Sequence, residues 1–399
     1  MAVNLQQTNA HYLVCMTRGT KVFITLLLGA TVYAGAGCNK VQHPEPELPT
    51  PETLVLPNLP ETPYGYAEMQ FPEAWLNDPA LALFGGFGET ANITDAGATL
   101  GRVLFHDVQL SADNTVSCGS CHHQEHAFAD ATSRSVGISG TPLLRNTPGL
   151  FNLRYQRRLF WDLRVAGLAN QVLQPIGHPD EMGMDLEELA DKLDALPYYP
   201  ALFEAAFGDA HISLDRITDG LVQFLMSIRS HQSRYDEGLA NGFASFTSSE
   251  LTGKEVFFRG DTRCNQCHSG LNFFSTQAFI NGLEMDYGAV GDAGIGELSG
   301  SPTDDGRFKT VSLRNVGVTA PYMHDGRFAD LRAVVDFYSD NIVQHPYLDE
   351  RFSDNGIGPP GQEPYRLELT ETERVGLVDF LHTLSDTSIT VNPAFSSPF

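Results

Sequence analysis

The chain has 399 residues, 42% of them hydrophobic, with 37 glycines and 23 prolines. That is enough apolar material for one large core or two of ordinary size, and two is the natural expectation at this length. A formal charge of −24 counts against nucleic-acid or anionic-membrane binding as the main activity and favours basic partners such as small electron-carrier proteins.

In chain order, the first segment reads as an export signal if translation starts at Met16. Arg18 and Lys21 then precede an apolar run from Val22 to Ala34, which is too short for a comfortable membrane span. The small residues before Cys38 resemble a bacterial lipoprotein site, although Gly35 stands where leucine is usual; ordinary cleavage nearby is the other outcome. Residues 39–63 are rich in proline and acid, the composition of an extended tether.

A first body is expected over residues 64–245 and a second over 246–399. Each opens on a similar stretch, "ATLGRVLFHDVQLSADNTVSCGSCH" and "SELTGKEVFFRGDTRCNQCH", in which a helical run leads into CxxCH. Between the motifs, "DLEELADKLDAL" and "ITDGLVQFLMSIRSHQSRYDEGL" read as helices. The glycine-rich "GAVGDAGIGELSGSPTDDG" reads as a long loop. The stretch Leu369 to Leu384 has apolar residues at helical spacing after a Thr370 cap with Glu373 three positions on. The expected fold is mainly α, with few strand signals and two cytochrome c-like domains.

Four of the six cysteines, Cys118, Cys121, Cys264 and Cys267, lie in the two CxxCH units, and the other two, Cys15 and Cys38, lie near the N-terminus. No structural disulfide of the mature body is implied. CxxCH holds c-type haem covalently: two thiols add to the porphyrin vinyl groups, and the adjacent histidine, His122 or His268, then binds iron. A zinc ribbon would place its second CxxC within a short span, and a redox dithiol would need a strand–helix setting absent here.

Around these motifs the chain resembles the bacterial di-haem cytochrome c peroxidases, and more closely their MauG-type relatives. The resemblance covers roughly residues 95–385, through "LGRVLFHDVQLS", "CGSCH", "RNTPGLFN", "FWDLR", "QVLQPIGHPDEMG", "CNQCH", "LRNVGVTAPYMHDGRF" and "VVDFY". It implies a peroxidatic haem on His122, with Gln171 and Glu181 in its distal pocket, and an electron-transfer haem on His268. Glu181 also fits the chemistry, because heterolytic O–O cleavage needs a proton moved between the two peroxide oxygens. Trp161 matches the tryptophan between the haems. Asn146, with the Thr319 and Pro321 carbonyls, matches a calcium site; such oxygen donors suit a hard cation.

Two departures from the standard peroxidases stand out. Where a histidine closes the first haem at rest, "VGISG" carries Ile138, so an open peroxidatic iron is expected; His123 and His126 are too close to the motif to reach the opposite face. Where a methionine binds the second haem, the count from His324 reaches Tyr338, as in MauG-type proteins. Tyrosinate favours ferric and higher iron. Met323 is the rival ligand.

The implied function is hydrogen peroxide reduction with electrons from a small cytochrome c or cupredoxin. One alternative is MauG-type oxidation of a protein substrate; a non-enzymatic di-haem carrier, or a binding module without activity, is another. The export signal implies a periplasmic or envelope location, with Cys38 the candidate for a lipid anchor; a homodimer follows by analogy only.

Overall fold

The computed structural model describes residues 54–68, 71–79, 81, 92–353 and 363–399. The export segment, Cys38 and the tether up to residue 53 lie outside the described residues. The fold is mainly helical, and the strands among the described residues are two short antiparallel pairs, Arg158–Leu159 with Val165–Ala166 and Ala278–Phe279 with Phe308–Lys309.

The helix Asp95–His106 opens the first half. Thr94 caps it by accepting from the Gly97 N–H, satisfying one of the free donors at a helix start. Its partner is the helix Leu214–Ser227, capped by Ser213. The two meet at glycines: a methyl group on Gly101 would stand 1.9 Å from the Gly220 carbonyl oxygen. The second half repeats the device. Its opening helix Ser248–Phe258 meets the closing helix Glu371–His382 where a methyl on Gly253 would stand 1.8 Å from the Gly376 oxygen. The closing helix carries the expected capping box between Thr370 and Glu373.

This duplication is written twice in the sequence. "GRVLF" and "GKEVF" carry the opening glycines, and "GLVQF" and "GLVDF" carry the closing ones. The phenylalanines that end these stretches, Phe105, Phe257, Phe224 and Phe380, are all buried. The first pair stands next to the CxxCH units; the second lies inside two stretches whose periodicity reports only helices.

One apolar core gathers Tyr66, Phe105, Phe128, Phe203 and Phe224, among others, with Ile389, Ala394 and Phe395 from the end of the chain. A second gathers Tyr235, Phe257, Phe273, Phe380 and Leu384. Tyr235 lies in the second core although the expected division came after residue 245; its N–H donates to the Thr383 carbonyl. The cores therefore divide at residues 228–233.

That segment also interrupts the long helix expected from Ile217 to Leu239. Helix Leu214–Ser227 stops, and Arg234–Asn241 starts afresh on a Ser233–Asp236 capping box. The polar run between them bonds to side chains instead. Asn152 accepts from the Ser230 N–H, and Asp386 accepts from the N–H groups of His231 and Gln232. Short polar side chains compete with helix continuation in this way.

Two further readings are revised. The glycine-rich loop contains the short helices Tyr287–Val290 and Ile295–Ser299, ended by the left-handed Gly291 and Gly300. The last part of the expected tether is docked: Leu54 and Leu59 pack on the first core, and the Asn58 N–H donates to the Pro398 carbonyl.

Candidate functional site

Both CxxCH units occupy the same local frame. After each histidine the chain doubles back, with bridges between His123 and Ala129 and between Ser269 and Phe274. The returning phenylalanine, Phe128 or Phe273, has a left-handed φ of 62° or 47°. Its carbonyl meets the histidine ring at Nδ1, at 2.6 Å for His122 and 3.2 Å for His268. A carbonyl only accepts, so Nδ1 carries the proton and Nε2 keeps a free lone pair, the arrangement that a metal-binding imidazole requires. Burial pushes both histidines down to about 4, so both rings are neutral.

The thiols are not poised as a redox dithiol. Burial raises Cys118 to about 12, Cys121 to about 11 and Cys264 to about 11, whereas reactive dithiols need a lowered pKa. None of the four is in a disulfide. Among the described residues no group of three or more His, Cys, Asp or Glu side chains is placed to hold a metal ion. Two free thiols and a neutral histidine with Nε2 available fit covalent haem.

At the second motif the fit extends to a cavity. Cys264, Cys267 and His268 line it together with apolar Phe257, Leu313, Val335, Leu377 and Leu381. Tyr338 and Met323 both line it. Tyr338 lies in the π-helical turn Phe337–Asn341, a local distortion that often marks functional positions. Burial raises its hydroxyl to about 12, and Asn281 donates to it at 3.1 Å. Met323 has a left-handed φ of 75°.

Trp161 lines the same cavity and packs edge-on against His324, ring centres 6.5 Å apart. Its indole N–H donates to the Asn146 carbonyl at 2.8 Å, while its own carbonyl accepts from the Lys309 N–H. Beside it Arg145 joins Asp162 to Asp292, at 2.5 and 2.7 Å. Trp161 thus ties the first half to the wall of the second cavity.

Asn146 is buried, and its N–H donates to the His324 carbonyl, which places it beside the segment holding Thr319 and Pro321. Its side-chain amide donates to the carbonyls of Thr132 and Ser133. The Asn146 backbone thus meets the segment that follows Thr319 and Pro321, three residues beyond Pro321 at His324, while its side-chain nitrogen is taken by the carbonyls of Thr132 and Ser133.

At the first motif Glu181 sits on the loop after helix Leu168–Gly177, which also carries half-buried Gln171. The loop is pinned by N–H bonds from Met182 to the Pro175 carbonyl and from Met184 to the Ile176 carbonyl. The Ile138 N–H donates to the Glu181 carbonyl at 2.9 Å, and Gly137 fits so tightly that an added methyl would stand 2.2 Å from the Asp180 oxygen. Burial raises the Glu181 carboxyl, opposed by the charges of His178 and Arg164. Its charge is felt by both Cys118 and Cys121.

Sequence reasoning missed Lys309, which lines the second cavity, and the chain's final segment. Gln124 donates to the Ile389 and Asn392 carbonyls, Arg102 donates to the Ser396 carbonyl, and His106 meets the Phe395 carbonyl at 3.1 Å. The end of the chain thus closes over the first motif.

Fold and site together define a mainly helical protein with two c-type haem motifs. The family model for di-haem cytochrome c peroxidase matches residues 95–242. The chain is 33% identical to the methylamine utilization protein MauG of Methylorubrum extorquens, over 73% of this chain and 79% of that protein. It is 32% identical to the cytochrome c551 peroxidase of Nitrosomonas europaea, over 60% of this chain and 71% of that one. Among solved structures, a MauG-like protein associated with microbial copper homeostasis superposes with a TM-score of 0.67 at 30% identity, covering 77% of this chain and 94% of that one. The chain belongs to the di-haem cytochrome c peroxidase and MauG family.

Proposed function

We propose that the protein is an exported peroxidase that reduces hydrogen peroxide at the His122 site, with electrons entering through the His268 site. The observation that carries this reading is the placement of Glu181 on a doubly pinned loop, its own carbonyl accepting from the Ile138 N–H. Haem bound at Cys118, Cys121 and His122 would supply the peroxide-binding and redox chemistry.

The side chains supply the rest. Glu181 takes a proton from the inner peroxide oxygen and returns it to the outer one; its raised pKa suits both halves of that transfer. Gln171 orients the peroxide. Ile138, bonded to Glu181 through its backbone, offers no ligand where the standard peroxidases close the site, so peroxide reacts without a prior opening step. Trp161 shortens the route between the sites, and Asn146, through its side-chain oxygen, would join the Thr319 and Pro321 carbonyls in holding a calcium ion. The charge of −24 steers a small basic cytochrome c or cupredoxin in the periplasm.

Stopped-flow mixing of Glu181→Gln with hydrogen peroxide tests this. The expected loss is about 10²- to 10⁴-fold in the rate of peroxide consumption. An unchanged rate overturns the role of Glu181.

A second reading, oxidation of a protein side chain, is supported by Tyr338 in the wall of the second cavity. Tyr338 is placed to offer a phenolate oxygen to a haem bound on His268, a donor that would favour oxidised iron there. Brisk steady-state turnover with reduced carrier cytochrome favours the first reading; turnover only with a protein substrate favours the second.

A further inference from the structure

One buried group of titratable side chains is left unused by the peroxide chemistry above: Asp107 with Tyr198 and Tyr199. Asp107 is buried and follows the helix Asp95–His106 as its C-cap. Its Oδ2 accepts from both phenols, at 2.5 Å from Tyr198 and 2.8 Å from Tyr199, and its Oδ1 accepts from the Gln109 N–H at 2.9 Å. The two ring centres lie 4.7 Å apart; Tyr199 is fully buried and Tyr198 half-buried. Each phenol proton is therefore already directed at a carboxylate base, and the pair runs from the core towards the surface.

The group stands beside the first motif. His106, the residue before Asp107, lies so close to that motif that a methyl on Gly119 would stand 2.6 Å from its Nδ1. Cys118 and Tyr198 both pack on the core that contains Tyr199. The duplicated fold does not require such a group: "GRVLFHD" in the first half corresponds to "GKEVFFR" in the second, and Arg259, in the place of Asp107, pairs with Asp261 and Glu373 instead. Burial, with the charge of Asp107, raises both phenols, so neither proton leaves ahead of an electron.

We propose that Tyr199 and Tyr198 form a redox pair that draws an oxidising equivalent from the first haem out to the surface. Once peroxide has oxidised the haem on His122, the Tyr199 phenol gives it one electron, and the phenol proton moves to Asp107 Oδ2. Tyr198 then gives one electron to the Tyr199 phenoxyl, while Asp107 returns its proton to Tyr199 and takes that of Tyr198. A small one-electron reductant of the phenol or ascorbate class restores Tyr198, whose proton comes back from Asp107. The inference rests on the peroxide reading for its oxidant and adds a third place where an oxidising equivalent is held.

The test is electron paramagnetic resonance of the protein with both haems attached, frozen soon after mixing with hydrogen peroxide alone, with the Soret band followed in parallel. A phenoxyl signal is expected, narrowed when the tyrosines carry ring deuterium, slower to form in heavy water, and discharged by ascorbate. Tyr199→Phe, which keeps the buried ring, and Asp107→Asn, which keeps both phenols, each abolish it; Tyr198→Phe retains it but removes the response to ascorbate. A Soret response with no phenoxyl signal, or a signal that survives in Tyr199→Phe, overturns the proposal and leaves the peroxide reading standing. A signal that forms equally fast in heavy water overturns it without any variant. A Soret band indifferent to peroxide overturns the peroxide reading instead; photo-oxidised ruthenium tris-bipyridyl then supplies the oxidant, and a signal equal in the parent and in Tyr199→Phe overturns the pair.

Discussion

The Cα of Gly253 faces the carbonyl of Gly376 with no room for a side chain between the two helices, and Gly101 faces Gly220 in the same way in the other half. An alanine in an ordinary helix interior is favoured over glycine by about 0.5–1 kcal/mol. Here the sign reverses. Gly253→Ala forces the helices apart and is expected to lower stability by about 1–3 kcal/mol, measured by denaturant unfolding. Gly260→Ala, whose added methyl meets nothing within 4 Å, is the control.

Glu181 is a candidate for function held against stability. Burial raises its folded-state pKa above the ordinary 4.5. Below that ordinary value both states are protonated and the buried carboxyl costs nothing. As pH rises through the raised folded value, the unfolded chain ionises more readily, and stability is lost. Glu181→Gln is therefore expected to be more stable than the parent at pH 7 and equal to it near pH 4, although it consumes peroxide more slowly. Thermal unfolding at the two pH values checks this; a less stable variant at pH 7 would show the carboxylate to be a structural partner.

Tyr338 and Met323 compete for one role in the second cavity. Replacing an anionic oxygen ligand by a thioether favours ferrous iron, so Tyr338→Met is expected to raise the midpoint potential of the second haem by on the order of 0.1 V or more. Met323→Leu leaves it unchanged. The opposite pattern in redox titration would transfer the ligand role to Met323.

Phe395 packs against Tyr66, Phe128 and Phe224, with ring centres 6.2 to 6.4 Å apart. Phe395→Ala is expected to cost about 3–5 kcal/mol, as large aromatic deletions in cores do. Because the Phe128 carbonyl orients His122, the spectrum of the first haem should broaden while that of the second is unchanged. Equal effects on both haems would count against a local role.

The two haem motifs were legible because covalent chemistry is written in contiguous residues. "CGSCH" and "CNQCH" state their purpose alone, and the Thr370–Glu373 capping box is a four-residue signal. What was not legible depends on distant pairing. The break at Ile228–Ser233 exists because Asn152 and Asp386, far away in both directions, take over its backbone bonds. Helical periodicity cannot report that. Lys309 reads as an ordinary strand lysine until folding sets it in the wall of the second cavity, and Tyr235 joins the second core only because Thr383 is there to receive its N–H.

The closure of the first motif by residues 389–396 has a consequence for the order of events in the cell. Both CxxCH units leave the ribosome, and cross the membrane if exported, before the segment that covers the first of them. Until Gln124 finds the Ile389 and Asn392 carbonyls, the first loop stays open to whatever machinery attaches its cofactor. Closure of the earlier motif, not attachment there, thus waits on the later part of the chain, and a chain cut near residue 385 would hold the closing helix of the second half while leaving the first motif uncovered.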